Sequence, residues 1–326
     1  MKILILSVII AFAAAFGGGY LIIPALKRLK AGQQIREDGP KDHLKKAGTP
    51  TMGGLIFAFG VVVACVVMLI IGDVGRYMWF ALLGSLSFGL IGLIDDLIIV
   101  VKHRSEGLKP YQKMLLLVVF SIIVSVFAFK DPSIGSSLYI PIADIYWDMS
   151  WGYIPFNVFF IIAITNCVNL TDGLDGLAGS VTLVNMLTFA VIFLTMSAVT
   201  VWKNDMIVFA AACMGGILGF LRFNTYPAKV FMGDTGAFFL GGAIAMICMV
   251  SRLQILVPIM GIMYVLSGLS CVIQVLVYKK TKKRVFKMAP LHHHFELSGV
   301  HETKIVSMYT LVTAVACMLI LLIMTL

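Results

Sequence analysis

The densest set of residues able to do chemistry is Asn166-Cys167-Val168-Asn169-Leu170-Thr171-Asp172-Gly173-Leu174-Asp175-Gly176. One uncharged, mostly apolar run, Ile154 to Ile164, leads into it, and another, Leu177 to Ser197, leads away. Carboxylates and amides at the mouth of such runs are costly unless they bind something. The glycines let a ligand approach the main chain. A helix cap needs one Asn, Thr or Asp; this turn holds two asparagines, a threonine and two aspartates.

Four further clusters share this placement. Gly39 to Gly54 carries Lys41, His43, Lys45 and Lys46 ahead of the Gly/Thr-rich Thr49-Pro50-Thr51-Met52-Gly53-Gly54. Lysines before a helix start suit a phosphate, although they also suit a topological signal, and no P-loop pattern is present. Asp95-Asp96 follows the run Phe88 to Ile94. Adjacent carboxylates repel unless a cation or a proton intervenes. Arg104, Glu106 and Lys109 beyond them read as solvated surface. Phe223 to Gly236 holds Asn224, Phe231 and Asp234; Asp234 fits an N-cap as well as a ligand, and Phe231 fits a core position or a platform for a planar base. Last comes Pro290-Leu291-His292-His293-His294-Phe295-Glu296. Adjacent helical residues diverge by about 100°, so three consecutive imidazoles do not converge on one metal. Contact of one or two with an anionic group fits better. Hard oxygen donors favour Mg²⁺ or Mn²⁺. With lysines and histidines at a membrane boundary, they point to phosphoryl chemistry on a lipid-linked substrate.

The elements that position these clusters follow from hydropathy. The 326 residues are 60% hydrophobic and 13% charged, with a mean hydropathy of +1.01. That excludes an ordinary water-soluble domain. Ten spans of bilayer length are expected: Ile3–Ala25, Met52–Ile71, Tyr77–Ile94, Met114–Phe129, Trp151–Val168, Leu177–Ser197, Met206–Phe220, Ala237–Val250, Leu256–Tyr278 and Ile305–Thr325. The fold class is an all-α polytopic membrane protein in a single domain, 1–326. Continuous apolar runs argue against a β-barrel. The six cysteines lie in or beside these runs and read as small core hydrophobes. The N-terminal run reads as a retained first span.

No Asp, Glu, Lys or Arg falls inside a span, so every charge is expected in a loop or at a terminus. Of the 25 Lys and Arg residues, all but Lys2, Arg76, Lys130, Lys203 and Arg252 lie on one side. The positive-inside rule puts that side in the cytoplasm and both termini outside. All five polar clusters then share the cytoplasmic face, as an active site would. A transporter would need access from both faces, and loops this short are a poor fit for nucleic acid. The net charge of +9 belongs to that face and suits anionic lipid headgroups or an anionic substrate. On the opposite side, Lys130–Ser150 reads as a small extended hairpin or an interfacial piece, with Tyr146, Trp147 and Trp151 anchoring at the headgroups.

The five motifs together resemble the polyprenyl-phosphate N-acetylhexosamine-1-phosphate transferases. Asp95-Asp96 and the Asn169–Gly176 motif are shared across that superfamily. Pro50-Thr51-Met52-Gly53-Gly54 and the triple-His segment resemble its phospho-N-acetylmuramoyl-pentapeptide transferase branch. The resemblance implies transfer of phospho-MurNAc-pentapeptide from UDP-MurNAc-pentapeptide to undecaprenyl phosphate, with release of UMP, Mg²⁺ as cofactor, and a location in the bacterial plasma membrane. The alternative is a sister enzyme using UDP-GlcNAc. By the same resemblance, Asp234 binds Mg²⁺; Asp95, Asp96 and His292 join it as catalytic residues. Lys46, Thr51, Asn169, Asp172, Gly173, Leu174, Asp175, Asn224, Phe231 and His293 contact substrate, with Phe231 stacking on uracil. A homodimer is common in the family. One departure is Ile99, where relatives often carry a lysine; Lys102 is the nearest replacement.

Overall fold

The computed structural model describes residues 1–29, 46, 48–72, 74–102, 107–195 and 200–325. In hydrocarbon every backbone N–H and C=O must be satisfied within its own segment, so long apolar runs become helices. They are α1 (Lys2–Arg28), α2 (Gly54–Ile71), α3 (Arg76–Lys102), α4 (Pro110–Lys130), α5 (Tyr153–Thr171), α6 (Leu177–Thr195), α7 (Lys203–Asn224), α8 (Gly233–Ser251), α9 (Val257–Met260), α10 (Ile262–Thr281), α11 (Leu291–Glu296) and α12 (Glu302–Thr325). Ten of these, all but the short α9 and α11, are long and apolar enough to cross a bilayer.

α8 is the central post. It packs against α2, α3, α5 and α7, and nearly all of its residues are buried. The polar clusters meet at its N-terminal end. The close crossing of α3 and α8 depends on Gly92: a β-carbon there would overlap the Asp234 carbonyl and lie 2.6 Å from the Thr235 nitrogen. Thus the helix carrying Asp95 and Asp96 lies directly against the start of α8.

Three sequence expectations change. Asp95 and Asp96 are not in a loop but inside α3, which continues to Lys102. Paired aspartates near the end of an apolar run read as a boundary, but tertiary partners keep the helix going. Asp234 is not an N-cap; it lies within the first turn of α8, whose N-cap is Met232. The ninth span is interrupted: a 3₁₀ turn at Gln254–Leu256 leads into α9, Gly261 breaks the helix, and α10 resumes at Ile262. Hydropathy averages over such a break. The predicted end of the sixth span at Ser197, and Lys41, His43, Lys45, Arg104 and Glu106, lie outside the described residues.

The opposite end of the bundle is tied by polar contacts. Asp205, in the first turn of α7, accepts N–H groups from Gly75, Tyr77 and Met78 at 2.6, 2.9 and 3.2 Å. It thereby satisfies donors that the start of α3 leaves unpaired. The expected hairpin is present as β1 (Ser137–Ile140) and β2 (Ile145–Asp148), antiparallel, with Ser137 opposite Asp148 and Ile140 opposite Ile145. Arg252 holds it down: its carbonyl accepts the Tyr139 N–H at 2.9 Å, and its Nε donates to the Ile134 carbonyl at 2.6 Å. Tyr146, Trp147 and Trp151 are exposed on this segment.

Candidate active site

The site is assembled around the first turn of α8. Gly233 precedes Asp234 with φ +72°, a conformation that disfavours a side chain. A β-carbon there would also lie 2.6 Å from both Asp96 Oδ2 and Thr51 Oγ1. Asp96, buried in α3, accepts the Asp234 N–H at 3.3 Å on Oδ1. On Oδ2 it accepts the Thr235 N–H at 2.9 Å and the Thr235 hydroxyl at 2.6 Å. A carboxylate facing free N–H groups at a helix start is favoured by hydrogen bonding and by the helix dipole. Asp96 therefore caps α8 from another helix and fixes where Asp234 stands.

Asp234 and Asp95 are linked by Lys113, in the first turns of α4. Its Nζ lies 2.6 Å from Asp234 Oδ2 and 3.1 Å from Asp95 Oδ2. Asp234 Oδ1 accepts from Asn169 Nδ2, in the last turn of α5, at 2.7 Å. Asp95 Oδ1 accepts the Leu108 N–H at 2.7 Å. The Asp234 side chain is 25% exposed and that of Asp95 only 5%. The reachable edge of the acidic cluster is therefore Asp234. Of the paired acids, Asp95 has the Lys113 cation, whereas Asp96 is held by the donors at the start of α8.

Beside this chain lies a second one. Lys46 Nζ is 2.7 Å from Asp175 Oδ1 and 2.7 Å from both carboxylate oxygens of Glu302. Burial alone lowers the Lys46 pKa, but the hydrogen bonds and charges of Asp175 and Glu302 outweigh it and the pKa is raised. Glu302 also accepts the Asp175 N–H at 2.6 Å, and Asp175 Oδ2 accepts the Ala228 N–H at 2.9 Å. Asn224 accepts the Gly176 N–H at 3.1 Å and donates to the Val230 carbonyl at 3.0 Å. Phe231 is tied through its backbone to Pro50 and Gly53. Asp172 stands between the two chains at the end of α5. Burial first, then repulsion from Asp234, Asp96 and Asp175, raises its pKa well above the ordinary carboxylate range.

The three histidines diverge, as helical spacing requires. His292 is fully buried against Gly173, where any side chain would collide with the imidazole. His293 Nδ1 lies 2.6 Å from Glu296, and His294 Nδ1 accepts the Lys287 N–H at 3.1 Å. His292 abuts the Asp172–Gly176 turn through Gly173. Leu174 in that turn is buried. Lys102 is exposed at the last residue of α3; the lysine that enters the cluster is Lys113. Sequence reasoning missed both Lys113 and Glu302. A lysine three residues after a helix-starting proline sits where the dipole disfavours a cation, which is the signal that marks Lys113. Glu302 gives none, since an acid in a first turn is ordinary.

This arrangement, a polytopic helical bundle with an acid-and-lysine site at one end, falls in the class of membrane transferases described as glycosyl transferase family 4, whose profile matches residues 78–252. A second profile, the phospho-N-acetylmuramoyl-pentapeptide-transferase signature 1, matches residues 46–57. Curated phospho-N-acetylmuramoyl-pentapeptide-transferases are similar over nearly the whole chain. That of Clostridium kluyveri is 49% identical over 97% of both chains, and that of Clostridium acetobutylicum is 46% identical over 98% of both. The enzyme from Caldanaerobacter subterraneus is 45% identical over 96% of both. The chain belongs to the phospho-N-acetylmuramoyl-pentapeptide-transferase family, and it is a multi-pass bacterial membrane protein.

Proposed function

We propose that the chain transfers phospho-MurNAc-pentapeptide from UDP-MurNAc-pentapeptide to undecaprenyl phosphate in peptidoglycan synthesis, as one membrane domain whose site faces the cytoplasm and whose termini face outside. The observation that carries the site assignment is the chain Asp95–Lys113–Asp234–Asn169 at the start of α8, with Lys46 beside it. An oxygen of the lipid phosphate attacks the sugar-linked phosphorus of the donor. A new P–O–P bridge forms, the old one breaks, and UMP leaves with the bridging oxygen. The second pKa of a phosphate monoester is near 6, so the nucleophile is largely ionised at neutral pH. Little base catalysis is required, and direct attack is favoured over a phospho-aspartate intermediate.

The main obstacle is repulsion between two anions, which positioned cations offset. Among the described residues no group of three or more His, Cys, Asp or Glu forms a metal cage. Mg²⁺ usually takes one or two carboxylates plus substrate phosphates, and the partly exposed Asp234 fits that mode. Asp234 would hold the ion, Asn169 and Asp96 would fix Asp234, and Asp95 would hold Lys113. Bound Mg²⁺ supplies charge neutralisation at the diphosphate. Lys46 and Lys113 meet the phosphates, and the Asp172–Gly176 turn with Phe231 receives the nucleotide.

The test is UMP release by purified protein in detergent with UDP-MurNAc-pentapeptide and undecaprenyl phosphate. Activity should need both substrates and Mg²⁺ and should stop with EDTA. Asp234→Asn should abolish turnover in a folded protein. Turnover with UDP-GlcNAc but not the muramoyl donor would overturn the substrate, and full activity of Asp234→Asn would remove Asp234 from the site.

A further inference from the structure

The last turn of α10 and the chain that follows it read Lys279-Lys280-Thr281-Lys282-Lys283-Arg284-Val285-Phe286-Lys287, six cations and no acid. All six are exposed. None takes part in the ion pairs found among the described residues, which involve Lys46, Arg76, Lys113 and His293.

The segment is not a loose run. α10 ends at Thr281, the next residue, Lys282, has a left-handed φ of +57°, and the chain turns back on itself. The side chain of Gln274 clasps it. Gln274 Oε1 accepts the N–H groups of Val285 and Phe286, both at 3.0 Å, and Nε2 donates to the Phe286 carbonyl at 3.1 Å. Gln274 precedes the end of α10 by two turns, roughly 10 Å along the axis. Val285 and Phe286 are therefore drawn back to the level of the exposed apolar side chains Val275 and Leu276, and Val285 is itself 49% exposed. Cations at the bend and an apolar residue folded back beside a spanning helix match the headgroup–hydrocarbon boundary, where lysine stems lie along apolar surface and ammonium groups reach phosphate. A merely solvated basic loop needs no clasp at that depth. The hook is also joined to α11. The Lys287 N–H meets His294 Nδ1, Lys287 Nζ donates to the Leu297 carbonyl at 3.0 Å, and the Phe286 ring lies edge-on to His294.

We propose that the hook of residues 279–287 is a docking surface for the headgroups of anionic phospholipids and seats α11 at the bilayer surface. The proposal concerns lipid binding alone and stands independently of the transfer reaction.

The test is native mass spectrometry of the full chain in detergent doped with phosphatidylglycerol or phosphatidylcholine, counting retained lipids. The wild type should retain phosphatidylglycerol over phosphatidylcholine, with the preference reduced by high salt. The quadruple variant K279Q/K280Q/K283Q/R284Q should bind phosphatidylglycerol at least about tenfold more weakly, a conservative figure for four surface charges. Gln274→Ala keeps every charge but opens the clasp, and should also weaken retention. Equal retention by the wild type and the quadruple variant overturns the proposal. So does unchanged retention by Gln274→Ala, which would reduce the hook to a loose run of cations.

Discussion

Adding one methyl group at Gly92 probes how the site is held without touching a polar atom. The alanine β-carbon would overlap the Asp234 carbonyl and sit 2.6 Å from the Thr235 nitrogen. Ordinary contact needs about 3.5–4.0 Å. Both obstacles are backbone, so no side chain can swing away, and α3 must part from α8 by at least about 1 Å. Overpacking of this kind costs about 1–3 kcal/mol, and the better helix propensity of alanine returns about 0.5–1 kcal/mol. The net loss of stability is therefore between about 0 and 2.5 kcal/mol. Asp95 and Asp96 ride on α3 and Asp234 on α8, so the same shift misplaces the carboxylates against each other. A 1 Å error in positioned groups costs about 10²-fold in rate. Gly92→Ala should thus lose about a hundredfold in kcat/KM for UMP release while its thermal unfolding temperature in detergent falls by no more than several degrees. Gly17→Ala, where a β-carbon meets nothing within 4 Å, should change neither. Full activity in a folded Gly92→Ala protein would refute the argument that this crossing sets the site geometry.

Lys113→Gln leaves Asp95 and Asp234 without their shared cation and should cut turnover by about 10²-fold at saturating donor; a change below threefold in UMP release would rule out the bridging role. Glu302→Gln removes two of the three carboxylate contacts of Lys46, whose side chain is 18% exposed. With Asp175 retained, the cost should be about 1–2 kcal/mol, well under that of a fully buried pair, and should show as roughly a tenfold rise in KM for the nucleotide donor with kcat nearly unchanged. A fall in kcat alone would contradict it. Asp172 has a raised pKa in the folded protein, so the native state holds its proton more tightly than the unfolded state. Stability from this group is full below the ordinary carboxylate pKa and is lost as pH rises through the folded value. Metal-free Asp172→Asn should therefore melt higher than the wild type at neutral pH and with a flatter pH dependence; parallel melting curves across pH would disprove it.

Hydropathy alone located the spans, since each is a continuous apolar run and the bilayer leaves the backbone little choice. The Ser-Ser-Leu-Tyr-Ile-Pro-Ile stretch at 136–142 is legible as a hairpin or an interfacial piece, and the pairing of 137–140 with 145–148 decides for the hairpin. The acids were legible as chemistry because burying them is expensive. What the chain order hides is pairing at a distance. Asp96 looks like half of a metal site, yet its oxygens face the start of α8, 138 residues away. Lys113 looks like a loop lysine until α4 brings it between Asp95 and Asp234. Glu302 reaches Lys46 across 256 residues, and nothing local marks it. The break at Gly261 is not legible because a window of hydropathy cannot see a change of backbone angle, here to φ −93° and ψ 29°.

The heavy burial of α7 and α8 has a consequence for the membrane itself. A span in contact with acyl chains must match their length, and it tilts or deforms the bilayer when it does not. α8 has only 19 residues, but its neighbours shield it almost completely. Thickening or thinning of the bilayer is met first by α1, α4, α10 and α12, the least buried of the spans. The helix that carries Asp234 is therefore free of the matching constraint, and its length answers to its neighbours rather than to the thickness of the membrane around it.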